Sequence, residues 1–282
     1  MLIQDAISQA TITLTRAGVI SPAVDAQWLM AHVKKIGRGD LGVLIAVQQD
    51  LSAVHEALFF ELIAIRAKRI PLQHITGVSG FRALELQVGK GVFIPRPETE
   101  MVVQYAIDFL STLPHGGKAI DLGTGSGAIA LAMATEVPNI QVTAVELSED
   151  AAFFARKNIA RYAPETKLLV GPMADVCAKL ETDFDVLISN PPYIPSGAIP
   201  IDPEVRDHDP ELALYGGVDG LDVIRQISEI GMRILRPGGF LVLEHADGQS
   251  ELVRELLLSA GWRLVSPHKD ANFRFRTVTA VR

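Results

Sequence analysis

The chain has 282 residues, 48% hydrophobic and 21% charged, which is ordinary globular composition with surface enough for one large domain or two smaller ones. Its net charge of −7 argues against a broad nucleic-acid-binding surface, where a basic face is expected. One cysteine, Cys177, and seven scattered histidines exclude an intrachain disulfide framework and any Cys/His zinc spacing. The N-terminal stretch carries Asp5 and no apolar signal core, and no apolar run approaches the ~18 residues of a membrane span. A cytoplasmic protein with no membrane partner is expected.

Residues 1–70 show helical periodicity and few strand signals. "SPAVDAQWLMAHVKK" opens on Ser21 as N-cap and Pro22 in the first helical position, and closes on Lys34 and Lys35. "LSAVHEALFFELIAIRAKR" reads as a long helix with one apolar face and basic residues at its C-terminal dipole. A small helical domain is therefore expected over 1–70. Over 71–97 the pattern changes to alternation with glycines, "GFRALELQVGKGVFIPRP", which predicts a β-hairpin linker. Over 98–282 the runs "KAIDLG", "QVTAVEL", "KLLVG", "DVLISN" and "GFLVLEH" read as strands alternating with helices, and "WRLVSPHKDANFRFRTVTAVR" as a terminal hairpin at the sheet edge. That alternation predicts an α/β domain with a doubly wound, mostly parallel sheet. The connection from Pro191 to about Gly220 exceeds a normal βα loop, and loops of that length are usually functional.

Two strand ends carry chemistry. In "AIDLGTGSGAIAL" Gly123, Gly125 and Gly127 open a helix, where glycine permits a tight turn and close approach of a ligand. The next strand ends on Glu146, about 20 residues on, where a carboxylate can accept both hydroxyls of a ribose. The same spacing fits a dinucleotide fingerprint, so the glycines alone do not choose the ligand. Asp121 helps to choose. A carboxylate beside the loop would repel a pyrophosphate but favours the ammonium and sulfonium of S-adenosylmethionine.

The second strand end reads "SNPPYIPSG" after the apolar "FDVLIS". Pro191 and Pro192 lack N–H donors and fix φ, so the strand stops there and Asn190 is pushed to extended geometry. A bare Pro-Pro is ordinarily a strand terminator. Asn190 and Tyr193, however, put one amide and one ring at the sheet edge where α/β proteins bind ligands. The Asn190 side-chain oxygen and the Pro191 carbonyl can each accept a hydrogen bond from a planar NH₂ group. Together they would orient its nitrogen and stabilise the positive charge it develops on methylation. Tyr193 supplies a ring for the flat group and its cationic transition state. A glutamine carboxamide and the exocyclic N6 of adenine share this conjugated NH₂, so the motif does not separate them.

Together "DLGTGSGAIAL", "VEL" and "SNPPYI" resemble class I S-adenosylmethionine-dependent methyltransferases that act on planar nitrogens. With "PLQHITG", "FIPRPETE", "EVRDHDPELALYGGVDGLDVIR", "LEHADGQ" and "KDANFRFRTVTAVR", the chain is similar to the PrmC/HemK family from about residue 20 to its C-terminus. Those enzymes methylate the glutamine side chain of a Gly-Gly-Gln motif in peptide-chain release factors. The resemblance implies a Rossmann-like catalytic domain, a helical substrate-recognition domain, S-adenosylmethionine as cofactor (S-adenosylhomocysteine as product) and a release factor as protein partner. It implies that Gly123, Thr124, Gly125, Ser126 and Gly127 surround the methionine and ribose, with Glu146 on the ribose and Asn190 at the reacting end. The family's acid–aromatic pair near the adenine is replaced here by Pro172 and Met173, and Met173 would pack on the ring. Phe93 and Arg96 would approach the cofactor from the other side. A monomer without direct nucleic-acid contact is expected.

The runner-up is a nucleic-acid adenine N6 amino-methyltransferase, which would need a basic target-recognition region that the sequence does not show. A cofactor-binding module without catalysis is disfavoured by the intact Asn190–Tyr193 motif. Glu98 and Glu100 read as caps of the helix that follows them. Asp207, His208 and Asp209 read as a solvated face rather than a metal site.

Overall fold

In the computed structural model, which describes residues 1–282, five helices come first: α1 (Ile3–Arg16), α2 (Pro22–Lys34), α3 (Arg38–Ala46), α4 (Ala53–Arg66) and α5 (Leu72–Thr76). A two-stranded sheet of β1 (Val78–Phe81) and β2 (Leu84–Gln87) precedes α6 (Pro97–Ser111). Strands and helices then alternate through β3 (Lys118–Leu122), α7 (Ala128–Glu136), β4 (Gln141–Glu146), α8 (Glu149–Tyr162), β5 (Lys167–Val170), α9 (Met173–Cys177) and β6 (Phe184–Ser189). Two short helices, α10 (Pro203–His208) and α11 (Glu211–Leu214), interrupt the long connection to α12 (Asp222–Ile234). The chain ends with β7 (Leu235–Glu244), α13 (Ser250–Ser259), β8 (Arg263–Lys269) and β9 (Phe275–Val281).

These elements form two units, residues 1–78 with 200–208, and residues 79–199 with 209–282. The first unit packs its helices around Ile3, Leu14, Leu29, Met30, Phe59 and Ile63. Each such side chain, fully buried, contributes roughly 1.5–3 kcal/mol. Ser52 caps α4 by accepting the His55 N–H, whereas Ser21 stands at the N-cap of α2 without a side-chain bond and Pro22 starts that helix. The expected hairpin linker is shorter than 71–97. Pro71 caps α5, the paired strands span only 78–87, and residues 88–96 form no strand but turn at Lys90 and Gly91.

The local pattern of residues 1–70 does not announce that residues 200–208 join them. Charge binds the two segments. Arg66 Nε donates to Asp25 Oδ2 at 2.7 Å and its Nη2 to Glu204 Oε1 at 2.7 Å. Arg69 Nε reaches the same Glu204 oxygen at 3.0 Å, and its Nη2 reaches Asp202 at 3.3 Å. Arg66 and Asp25 are buried; burial raises the Asp25 carboxyl above its ordinary range, outweighing the lowering by Arg66.

The second unit is built on a seven-stranded sheet in the order β5-β4-β3-β6-β7-β9-β8. The first five strands are parallel, and β9 runs antiparallel to both neighbours as the terminal hairpin. One apolar core holds α6, α7 and α8 against one face, and a second holds α12 and α13 against the other. The interior strand β3 is accordingly buried at four consecutive positions, as a parallel strand covered on both faces should be. On α12, Ile224, Ile227, Ile230 and Ile234 are buried at helical spacing. β4 and β5 lie to one side of β3, and β6 and β7 to the other. Strand order therefore reverses beside β3, and the loops after β3 and β6 meet the edge where open α/β sheets bind ligands. The Ser189 hydroxyl donates to the Leu122 carbonyl at 2.6 Å and pins those two strand ends together. No helix is long and apolar enough to cross a membrane.

Candidate functional site

Beyond β3, Gly123, Gly125 and Gly127 have φ of 75°, 58° and 87°, values that side chains rarely adopt. A Cβ on Gly123 or Gly125 would meet nothing within 4 Å. Conformation rather than crowding calls for glycine there, and the outer face of the loop stays open for a ligand. Thr124 and Ser126 are buried, so the loop offers a ligand its backbone and its bare glycine faces.

Three polar side chains hold this loop. Asp121 Oδ2 accepts the Thr124 hydroxyl at 2.5 Å. Asn158 of α8 donates to the Ser126 carbonyl at 2.9 Å while bonding both backbone groups of Gln87 at 2.7 and 3.0 Å. Glu146 accepts the Gly125 N–H at 2.7 Å and the Leu147 and Ser148 N–H groups at 2.8 Å each. Asn158 went unread in the sequence, where its one signal is a polar residue on a face that otherwise buries Ala151, Ala155 and Ile159.

Asp121 is held inside the loop. It is fully buried, and burial pushes its carboxyl up to about 7 against the lowering by the Thr124 hydroxyl and the Ala130 N–H. It shapes the loop through the Thr124 hydroxyl. Glu146 is buried but lies at the end of β4 beside the open glycine faces. Three of roughly four acceptor positions of its carboxylate are already filled, so a ribose diol there must share with or replace the Gly125 N–H.

At the end of β6 a second network forms. Asn190 Nδ2 donates to Thr99 Oγ1 at 3.2 Å, the Thr99 hydroxyl donates to Glu244 Oε2 at 2.7 Å, and the Tyr193 hydroxyl donates to Glu244 Oε1 at 3.3 Å. Thr99 lies in the first turn of α6 and Glu244 ends β7. Burial pushes the Glu244 carboxyl up to about 7, although Thr99, Arg276 and Tyr193 all favour its ionised form. Burial, then Glu244, raises the Tyr193 phenol above its ordinary range, which keeps it a donor. Thr99 and Glu244 sit inside the stretches "FIPRPETE" and "LEHADGQ", where neither residue announces a role by its local pattern. The signal for Glu244 is a carboxylate at a strand end whose preceding residue, Leu243, pairs with Ser189.

The stretch "ALYGGVDGL" braces this loop. Ile194 N–H bonds the Leu214 carbonyl at 2.8 Å, and Gly216 N–H bonds Ile194 at 2.9 Å. A Cβ on Gly216 would come within 2.5 Å of the Pro192 carbonyl oxygen, and one on Gly220 within 2.3 Å of that of Tyr193. Gln249 Nε2 donates to the Tyr193 carbonyl at 3.0 Å. Tyr193 is thus tethered at both its backbone and its hydroxyl.

The remaining expected residues also have protein partners. The Arg96 guanidinium stacks on Phe93 with 5.1 Å to the ring centre and pairs with Asp209 at 2.7 Å. Asp209 is buried, which corrects its reading as part of a solvated face; Asp207 is exposed and pairs with Arg206. Glu100 does not cap α6 by a side-chain bond. It accepts the Arg82 N–H at 2.9 Å and so fixes the turn between β1 and β2. Met173 opens α9 and lies half-buried at the margin of the second core.

Two family models match the chain: a PrmC N-terminal domain over residues 5–77 and a methyltransferase small domain over residues 103–200. A protein of Streptomyces coelicolor named release factor glutamine methyltransferase is 47% identical, over 97% of this chain and 96% of its own. One of the same name from Mycolicibacterium smegmatis is 44% identical, over 99% and 98%. Among solved structures, a methyltransferase from Pyrococcus furiosus shares the fold with a TM-score of 0.52 at 24% identity, covering 71% of this chain and 89% of that one.

Proposed function

The chain belongs to the family of release factor glutamine methyltransferases, and we propose that it methylates the side-chain amide nitrogen of the glutamine in a release factor's Gly-Gly-Gln motif. The residues present fit S-adenosylmethionine: open glycine faces at Gly123 and Gly125 beside the Glu146 carboxylate, with Met173 an apolar surface for the adenine. When bound, that cofactor supplies an electrophilic methyl group on a sulfonium. We assign docking of the protein substrate to the helical unit, which carries none of the cofactor residues, and the working compartment to the cytoplasm, where release factors act.

A carboxamide nitrogen is a poor nucleophile because its lone pair is delocalised into the carbonyl. Asn190 Oδ1 and the Pro191 carbonyl each take one N–H of the substrate, which aims the nitrogen and stabilises the charge it gains. The observation that carries this reading is the Asn190 amide, held through Nδ2 on Thr99 at the sheet edge where the glycine loop emerges. Adenine N6 would satisfy the same acceptors, and family membership decides for glutamine. Labelled S-adenosylmethionine should place one methyl on that glutamine, located by tandem mass spectrometry, and a Gln→Ala release factor should accept none. Label on DNA or RNA with an unmodified release factor would sink the proposal.

The cofactor assignment has its own test. Glu146→Ala should weaken S-adenosylhomocysteine binding by roughly 1–3 kcal/mol, the range for hydrogen bonds to a charged group. Titration calorimetry measures this directly. Unchanged affinity would confine Glu146 to holding Gly125, Leu147 and Ser148.

A further inference from the structure

We infer that Glu244, acting through Thr99, is a positioning residue that decides which way round the Asn190 amide sits. The inference rests on the reading of Asn190 as an acceptor for the substrate NH₂. The two branches of an asparagine amide have nearly the same shape, so shape alone does not choose between oxygen outward and nitrogen outward. Only oxygen outward serves the reaction, because an outward NH₂ would set donor against donor.

The choice comes from counting protons. A threonine hydroxyl has one proton to give and can also accept. An ionised carboxylate only accepts, so the Thr99 proton goes to Glu244 Oε2 at 2.7 Å. Thr99 Oγ1 is then left as an acceptor, and Asn190 must present Nδ2 to it, as it does at 3.2 Å. Oδ1 is thereby turned the other way. Tyr193 donates to the second Glu244 oxygen, so two donors face the charge.

A protonated Glu244 reverses this order. Its O–H can donate to Thr99, which frees the Thr99 proton for Asn190 and lets the amide settle with Oδ1 inward. The groups around Glu244 are Thr99 and Glu98 from α6, Tyr193 from the loop after β6, and Arg276 from β9. Burial and Glu98 favour the neutral form, whereas Thr99, Arg276 and Tyr193 favour the ionised one. The balance lies at about 7, so the ionised form gains as pH rises through that value and is lost below it.

The test uses the full chain with Thr99→Val, Thr99→Ser, Glu244→Gln and Asn190→Ala. Thr99→Val should lower kcat by about 10–10²-fold, by analogy with losing the partner that orients a metal ligand, with KM for the cofactor little changed. Thr99→Ser should restore most of the rate. The wild-type kcat should fall as pH drops through about 7, and Glu244→Gln should flatten that limb. In the cofactor-free protein, ¹³C NMR of the Glu244 carboxyl should show its midpoint rising in Thr99→Val, because the hydroxyl that favours the anion is gone. A wild-type kcat in Thr99→Val alongside a slow Asn190→Ala would overturn the orienting role alone. A full rate in Asn190→Ala would overturn the acceptor reading beneath it. A Glu244 carboxyl midpoint that Thr99→Val leaves unmoved would also overturn the role, whereas Asp121, likewise at about 7, can add an acidic limb of its own; if Glu244→Gln does not fold, the Thr99 pair decides.

Discussion

Asn190→Ala is expected to slow methyl transfer by about 10²–10³-fold, the effect of removing one preorganised polar contact to developing charge. The substitution removes Oδ1 and spares the Pro191 carbonyl, so one of the two acceptors remains. The loop should keep its shape because its backbone is held independently. Pro191 and Pro192 fix φ, Ile194 bonds Leu214 and Gly216, and Gln249 holds the Tyr193 carbonyl. Thr99 loses a donor but keeps Glu244. Cofactor affinity and unfolding midpoint should therefore stay close to wild type while the single-turnover rate collapses. A near-normal single-turnover rate would reduce Asn190 to a strand terminator.

Arg66→Met should destabilise the helical unit by about 3–5 kcal/mol, the cost of leaving a buried carboxylate without its partner. Methionine keeps the apolar stem and removes the guanidinium, so packing loss is small and the charge term dominates. Asp25 bears most of the effect, because Glu204 retains Arg69 at 3.0 Å whereas Arg66 supplies the one ion pair of Asp25. The loss should shrink in acid. The Asp25 carboxyl is already raised, and losing Arg66 raises it further. A carboxyl raised by folding favours the folded state below its unfolded value near 3.8 and loses that advantage as pH rises through the folded value. Wild type and variant should thus differ less as the pH is lowered toward 3.8 than they do at pH 8. Denaturant unfolding followed by Trp28 on α2, with Trp262 replaced by phenylalanine, reports on this unit. A loss that stays constant as the pH is lowered toward 3.8 would mean that packing, not charge, was removed.

The two strand-end motifs were legible because local chemistry enforces them. Glycines at positive φ and prolines without N–H groups leave few conformations, and β-branched runs between helices mark a parallel sheet. The supporting residues were not legible, because their partners lie far along the chain. Thr99 and Glu244 are 145 positions apart, Asn158 and Ser126 are 32 apart, and Arg66 and Glu204 are 138 apart. No window of sequence holds both members of such a pair. The hairpin was overextended for a related reason. Val88 and Val92 are buried against Ala151 and Phe154, so the alternation at 88–96 records packing onto α8, not pairing with another strand. Gly89 belongs to that contact too, since a Cβ there would come within 2.8 Å of the Phe154 ring.

The membership of residues 200–208 in the first unit has a consequence for how the protein is made. Glu204 follows Arg66 by 138 positions, and a ribosome adding about 5–20 residues per second delivers it on the order of ten seconds later. During that interval Arg66 has Asp25 but not Glu204, and Arg69 has neither of its acidic partners. Helices α1 to α4 emerge first with their apolar core complete but their ion-pair network unfinished. The N-terminal unit gains Asp202 and Glu204 only after the strands from β3 to β6 have been synthesised, so its charge network is completed late although its apolar core is local.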